Sequence, residues 1–273
     1  MNLDALPPLR EALAAAGIGA EKRLGQHFLF DLNLCRKIAR LAGPLEGRTV
    51  MEVGPGPGGL TRALLAAGAK VIAVERDGRF APILTGLAEV AGERLTVVWA
   101  DALSLDETTL PGAPTAIVAN LPYNVGTPLL VKWLTGPFRP TAMTLMFQKE
   151  VARRIVAAPG GGDYGRLAVL AQALCETRIV MDLPARAFSP PPKIASAVVR
   201  LTPRAERPAA PLIAALQTVV QAAFGQRRKM LRSSLRDIGG EALCESVGID
   251  PDARAQTVPV AGFLAMARAI SGT

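Results

Sequence analysis

Met51-Glu52-Val53-Gly54-Pro55-Gly56-Pro57-Gly58-Gly59-Leu60-Thr61 decides the fold of this chain. An apolar run over residues 49–53 leads into the glycines, and a helix-forming run over 58–67 leads out of them. The glycines therefore occupy a strand-to-helix turn, where the missing Cβ lets the backbone turn tightly and approach a ligand closely. The spacing Gly54-x-Gly56-x-x-Gly59 also satisfies the dinucleotide fingerprint, so the motif alone does not choose a cofactor. Two features lean away from a pyrophosphate. Pro55 and Pro57 remove amides that a phosphate would use, and Glu52 places a carboxylate where a cationic ligand is welcome. S-adenosylmethionine, with its amine and sulfonium, meets that condition.

Outward from the loop, short apolar runs alternate with helical patterns. Strands are expected at 70–74, 95–99, 115–119 and 142–147, and helices at 80–91, 128–134 and 149–157. Before the loop, residues 9–16 and 31–42 read as helices, the second opened by Asp31 as N-cap. This rhythm predicts a mostly parallel sheet covered on both faces. Runs at 178–183 and 195–201 flank the Pro-rich segment Phe188-Ser189-Pro190-Pro191-Pro192-Lys193 with no room for a helix. They are expected to pair antiparallel at the end of the sheet. Composition shifts after Leu201 to Pro, Arg and Ala, and the pattern from Leu212 onward is helical. A domain boundary is placed near residue 205, giving domains 1–204 and 205–273.

Acids and amides mark the strand ends. Glu75 closes the second strand of the alternating series, where a carboxylate can accept from ribose hydroxyls, and Asp101 follows the third, where one can accept from an adenine amine. Acids at strand ends also serve as helix N-caps. Asn120-Leu121-Pro122-Tyr123 follows a further strand. The Asn offers a carbonyl oxygen to an amine, Pro122 fixes φ and removes a donor, and Tyr123 offers a stacking face. A strand followed by a Pro turn is the plainer reading of those four residues. In a parallel sheet all of these positions share one edge, the edge at which open α/β sheets bind ligands.

Composition narrows the classes. The 273 residues carry a formal net charge of +8, which favours a polyanionic partner, nucleic acid before an anionic membrane surface. Three cysteines, Cys35, Cys175 and Cys244, stand far apart and form no CxxC pair, which argues against a disulfide framework and against zinc. His27 is the single histidine, so His-rich metal sites are excluded and Ser-His-Asp chemistry is disfavoured. No metal is expected. The N-terminus lacks a signal-peptide pattern and no apolar run reaches membrane-spanning length, so a cytoplasmic protein without membrane attachment is expected. Arg227, Arg228, Lys229, Arg232 and Arg236 form a basic run. The run is expected to lie on a helix, where Arg228, Arg232 and Arg236 recur every four residues and share a face, with no acid inside the run. Lys22, Arg23, Lys149, Arg153, Arg154 and Lys193 add further candidates for RNA phosphate contact.

Nearly the whole chain after about residue 22 resembles the bacterial small-subunit rRNA adenine-N6,N6-dimethyltransferases, within the rRNA adenine dimethylase family. The resemblance rests on Leu24-Gly25-Gln26-His27-Phe28-Leu29, Glu52-Val53-Gly54-Pro55-Gly56, Glu75, Asp101-Ala102 and Asn120-Leu121-Pro122-Tyr123-Asn124. Gln148-Lys149-Glu150-Val151, Tyr164-Gly165-Arg166-Leu167, the 188–193 segment and Gln226-Arg227-Arg228-Lys229 complete it. It implies a Rossmann-like class I methyltransferase, with a seven-stranded, mostly parallel sheet, an antiparallel end strand and a small helical C-terminal domain.

The cofactor so implied is S-adenosylmethionine, held by Gln26, His27, Leu29, Glu52, Gly54, Gly56, Glu75, Asp101, Ala102 and Asn120. Asn120, Leu121, Pro122 and Tyr123 would form the catalytic site, with Phe188 either closing the other face of the target base or serving as a core plug beside the Pro run. Many relatives carry Asn where this chain has His27. The implied substrate is a pair of adjacent adenosines in the 3′-terminal hairpin of 16S rRNA, met within the immature small subunit, and a monomer is expected. A large-subunit rRNA methylase, an idle RNA-binding assembly factor and an NAD oxidoreductase are the competing readings.

Overall fold

The computed structural model describes residues 2–21, 26–226 and 228–272. Nine strands are found among them: β1 (Phe28–Leu29), β2 (Thr49–Val53), β3 (Lys70–Glu75), β4 (Leu95–Trp99), β5 (Ala116–Asn120), β6 (Ala142–Gln148), β7 (Cys175–Leu183), β8 (Phe188–Ser189) and β9 (Ser196–Pro203). Seven of them form one sheet in the order β4-β3-β2-β5-β6-β9-β7. The β2–β3, β2–β5, β3–β4 and β5–β6 pairs are parallel, and β6–β9 is antiparallel. The sequence order reverses at β2, whose neighbours are β3 and β5, so a crevice is expected beyond the C-terminal ends of these strands. The antiparallel strand β9 lies between β6 and β7, one place in from the edge.

Strands β2, β3, β5 and β6 are buried because their residues are mostly apolar on both faces, with Val50, Met51, Ala73 and Ile117 fully inaccessible, whereas the edge strand β4 leaves Thr96 and Trp99 exposed. Helices Leu32–Leu41, Gly59–Ala66 and Ala81–Ala91 connect or precede them. Asp31 caps the first of these, accepting from Asn33 N at 2.8 Å and Leu34 N at 3.2 Å, as the sequence predicts.

The chain divides into two compact units. One comprises Met1–Trp133, Pro137–Ala152 and Ile179–Leu201; the other comprises Leu134–Gly136, Arg153–Arg178 and Thr202–Thr273. The second unit thus draws on residues 153–178 as well as on the C-terminal stretch. Its helices include Arg166–Leu174, Ala210–Gly225 and Val260–Ser271. Within it Tyr164 is buried, donates its hydroxyl to Val258 O at 2.9 Å and packs its ring edge-on to Phe224. No helix among the described residues is long and apolar enough to cross a membrane.

Two details depart from the sequence reading. Strands β1 and β8 pair with each other, Phe28 opposite Ser189 and Leu29 opposite Phe188, joining the segment before the glycine loop to the Pro-rich segment. The basic run is not one helix. The helix ends at Gly225, Leu231–Ser234 is a single short turn, and Arg236–Ile238 is 3-10. Tertiary pairing breaks the run: Leu231 N donates to Ala253 O and Arg232 N to Pro251 O, both at 2.9 Å, in place of continued helical bonds. Arg228, Arg232 and Arg236 therefore do not share a helix face.

Candidate active site

A pocket opens at the C-terminal ends of β2, β3, β4 and β5. Its lining includes Gln26, His27, Leu29, Glu52, Gly54, Gly56, Glu75, Asp101, Ala102, Asn120, Leu121, Pro122 and Tyr123. The parallel register accounts for this convergence, because each strand delivers its last residue to the same edge.

The glycine loop takes left-handed conformations at Gly54 (φ 69°), Gly56 (φ 54°) and Gly58 (φ 84°), where other residues are strained. Gly59 has a different reason: a Cβ there would lie 2.8 Å from the backbone oxygen of Leu29. The third glycine of the fingerprint thus lets β1 pack against the start of the helix.

Two acids converge on the loop. Glu52 is 1% exposed, and its Oε2 lacks a partner in ordinary hydrogen-bond geometry; the buried Thr61 hydroxyl, the polar group that acts on it most strongly, does not reach that geometry either. Burial pushes the Glu52 carboxyl up to about 8; the Thr61 hydroxyl opposes that shift, and the charge of Glu75 adds to it. Burial also raises Glu75, opposed by three backbone donors: Gly56 N at 3.1 Å on Oε2, with Arg76 N at 2.9 Å and Asp77 N at 2.8 Å on Oε1. A carboxylate offers about four acceptor sites, so Glu75 retains capacity for a ligand hydroxyl while its orientation is fixed by the turn it closes.

Asp101 accepts from Leu103 N at 2.9 Å and from Arg76 Nη1 at 2.9 Å; the backbone bond, then Arg76, holds its carboxyl below the usual range. Arg76 is a site contact that the sequence reading missed. Gln26 lines the pocket, but its amide is engaged elsewhere. It donates to Asp77 Oδ2 at 2.9 Å and accepts from Glu21 N at 3.0 Å and Arg79 Nη2 at 3.3 Å. This network fixes the N-terminal segment against the end of β3, so Gln26 acts as an anchor in this structure.

Asn120 Nδ2 donates to the His27 carbonyl at 3.2 Å, which leaves Oδ1 as the acceptor of the amide. His27 Nδ1 donates to Pro190 O at 2.7 Å, and its ring lies 5.2 Å from that of Tyr123 at a tilt of 34°. The Tyr123 hydroxyl is bonded to Ser196 Oγ at 2.6 Å, a partner with no signal in the sequence. Burial raises the phenol, so it is neutral at physiological pH. The Pro122 carbonyl accepts from Val125 N and Gly126 N, both at 3.1 Å. Both its lone pairs are thereby engaged in starting the helix Gly126–Thr135, and the Leu121 carbonyl is the candidate second acceptor for an amine.

Phe188 does not join this group. It is 4% exposed and belongs to the core cluster with Leu29, Leu64 and Val198, because its pairing opposite Leu29 turns the ring inward. Of the basic candidates, Arg153, Lys193, Arg228, Lys229 and Arg232 are exposed. Lys149 pairs with Asp182 at 2.9 Å, and Arg232 with Asp252 at 3.0 Å, an acid outside the basic run. Lys22, Arg23 and Arg227 lie outside the described residues, as do Leu24 and Gly25. Among the described residues no group of His, Cys, Asp and Glu has the arrangement of a metal site.

Comparison with known proteins shows the family. Residues 18–271 match the model of the ribosomal RNA adenine dimethylase family. The ribosomal RNA small subunit methyltransferase A of Phenylobacterium zucineum is 64% identical over 98% of this chain and 94% of its own. The protein of the same name from Caulobacter vibrioides is 66% identical over 93% and 98%. A dimethyladenosine transferase from Plasmodium falciparum, 24% identical, shares the fold with a TM-score of 0.73 over 88% of this chain and 96% of its own. The 23S rRNA methyltransferase ErmE is 29% identical, with a TM-score of 0.68 over 88% and 98%. The chain belongs to the ribosomal RNA adenine dimethylase family.

Proposed function

We propose that this protein dimethylates N6 of two adjacent adenosines in the 3′-terminal hairpin of 16S rRNA, within the assembling small subunit, using S-adenosylmethionine. The orientation of the Asn120 amide by the His27 carbonyl carries this reading. A donor-occupied Nδ2 leaves Oδ1 to accept from an exocyclic amine at the pocket wall.

The residues present fit the cofactor. The buried Glu52 Oε2, without a partner in ordinary geometry, suits a cationic amine, and Gly54 and Gly56 leave the loop backbone open to close approach. Glu75 keeps an acceptor site for ribose, and Asp101-Ala102 suit an adenine edge. When bound, the cofactor supplies a methyl group on a sulfonium, an excellent leaving group.

The protein's part is position. The adenine amine is a poor nucleophile because its lone pair is delocalised into the ring. Hydrogen bonds from the amine to Asn120 Oδ1 and the Leu121 carbonyl favour a pyramidal nitrogen whose lone pair points at the methyl. The nitrogen is cationic and strongly acidic once methylated and loses its proton to water, so no strong general base is required. The target base must leave its stack, and Tyr123, held by Ser196, offers the face that receives it.

The relatives named for the small subunit, at 64% and 66% identity, favour that substrate over the 23S rRNA named for ErmE at 29%. The exposed Arg228, Lys229 and Lys193 suit phosphate binding, and residues 205–273 would contribute to recognition of the particle. We place the protein in the cytoplasm, as a monomer. Incubation with tritium-labelled S-adenosylmethionine and undermethylated small subunits, with large subunits as control, tests the reading. Labelled dimethyladenosine near the 16S 3′ end supports it. Label confined to large-subunit RNA, or tight particle binding without label, overturns it.

A further inference from the structure

Behind the pocket wall, outside the residues assigned to the cofactor or the base, lies a polar cluster in which Glu107 and Trp133 are buried and Lys132 is half-buried. Glu107 is 5% exposed, and its Oε1 accepts from Trp133 Nε1 at 2.6 Å and from Lys132 Nζ at 2.9 Å. The Lys132 ammonium also donates to Ala102 O at 2.7 Å and to Leu105 O. An ammonium has three donors, so all three are engaged, and all within the stretch from Ala102 to Glu107.

That stretch is the loop that follows β4. It turns over Asp101, whose carbonyl accepts from Ser104 N and Leu105 N, and it presents Asp101, Ala102 and Leu103 to the pocket. Lys132 approaches it from the helix Gly126–Thr135, which begins directly after the Asn120–Tyr123 turn. A surface tether would need none of this burial. A lysine satisfied by two carbonyls and a buried carboxylate, itself fixed by an indole, gives the loop one conformation.

We propose that Lys132 is a positioning residue for the methyl donor: with Glu107 and Trp133 it fixes the Asp101–Leu103 edge that reads the adenine, and so sets the selectivity for an adenine-bearing donor. This rests on the reading that Asp101 and Ala102 receive the cofactor's adenine. Lys132 reaches the ligand only through the backbone of Ala102 and the course of the loop.

The test compares Lys132→Met, which keeps the aliphatic stem, with the intact protein, measuring affinity for S-adenosylmethionine and for its inosyl analogue, in which an oxo group replaces the adenine amine. The intact protein should prefer the adenosyl donor. In Lys132→Met that preference should shrink by about tenfold or more, through weaker adenosyl binding, while kcat at saturating donor stays within about twofold. Glu107→Gln keeps the shape and an acceptor for both donors, and should give a smaller loss of preference in the same direction if Lys132→Met folds poorly. Equal weakening of both donors in Lys132→Met, or an unchanged preference in both variants, overturns the proposal. An intact protein that binds S-adenosylmethionine without preferring it to the inosyl analogue overturns the adenine assignment itself, and this proposal with it.

Discussion

The Asn120 side chain is oriented by the main chain of His27, with Nδ2 donating to the carbonyl at 3.2 Å. The bond joins residues 93 positions apart, from the segment before the glycine loop to the end of β5. Asn120→Asp has nearly the same shape but no donor, so a carboxylate oxygen would face the His27 carbonyl. Asn120→Ala removes the acceptor as well. Both variants should lose methyl transfer by at least about a hundredfold, because position is the main catalytic resource here. Donor affinity should weaken only modestly. Single-turnover transfer of tritium, beside a donor titration, checks the split; full activity in Asn120→Ala would sink the mechanism.

Tyr123 carries two separable features, a ring face and a hydroxyl fixed to Ser196. Tyr123→Phe keeps the face and should raise KM for RNA only severalfold. Tyr123→Ala loses the stacking, worth about 1–3 kcal/mol per base, and should raise it by up to about a hundredfold. Because burial raises the phenol above its ordinary value of 10.0, no phenolate limb should appear in the rate profile near neutral pH. Steady-state kinetics on undermethylated subunits across pH separate these cases.

Much of this site could be read before the fold was known, for a physical reason. Glu75 and Asn120 end, and Asp101 closely follows, five- or six-residue apolar strands, and parallel pairing then brings them to one edge. What escaped lacks a period. The β1–β8 pair is two residues long, too short for alternation to register, so a core position for Phe188 and a packing role for His27 stood only as alternatives in the sequence. Helix Arg166–Leu174 is buried on most sides and shows no amphipathic stripe. The basic run has helical spacing, but tertiary bonds to residues 251–253 override it. Lys132 and Glu107 are 25 residues apart, and each alone looks like an ordinary surface charge.

Glu52 should make stability depend on pH. Folding raises its carboxyl from 4.5 to about 8, so the folded chain holds this proton more tightly than the unfolded chain. The resulting contribution is complete below about pH 4.5 and is lost as pH rises through about 8. Glu52→Gln keeps the buried shape without an ionisation to oppose. Its Tm should exceed that of the parent at about pH 8–9 and vary less between about pH 5 and 8. Thermal melts of both proteins across this range check it; parallel Tm profiles would show that Glu52 is not the group responsible.

The exposed cations should differ in their effect on RNA affinity. Arg232 pairs with Asp252, whereas Arg228 and Lys229 project from the turn that ends the Ala210–Gly225 helix. Replacing both Arg228 and Lys229 with Ala should make the dependence of log K on log salt shallower by about 0.7–0.9 for each phosphate that is no longer neutralised. Arg232→Ala should do less, since its charge is already partly answered. Binding titrations at several salt concentrations give the slopes; an unchanged slope in the double variant would remove these residues from the interface.

Two glycines should respond to alanine with opposite signs. At Gly59 the added Cβ would stand 2.8 Å from Leu29 O and 3.0 Å from Leu9 Cδ1. The first of these is backbone in β1, so relief requires moving the strand beside the His27 carbonyl that holds Asn120. Gly59→Ala should cost roughly 1–3 kcal/mol, as overpacking does, and should also lower methyl transfer in the fraction that remains folded. Gly86 lies inside the helix Ala81–Ala91, with nothing within 4 Å of an added Cβ. Gly86→Ala should therefore stabilise the protein by about 0.5–1 kcal/mol through helix propensity, leaving activity unchanged. Denaturant titrations of both variants beside transfer assays test the contrast. Loss of activity without loss of stability in Gly59→Ala would mean that β1 shifts readily, and that the Asn120–His27 hydrogen bond, rather than the packing of Gly59, is the fragile link.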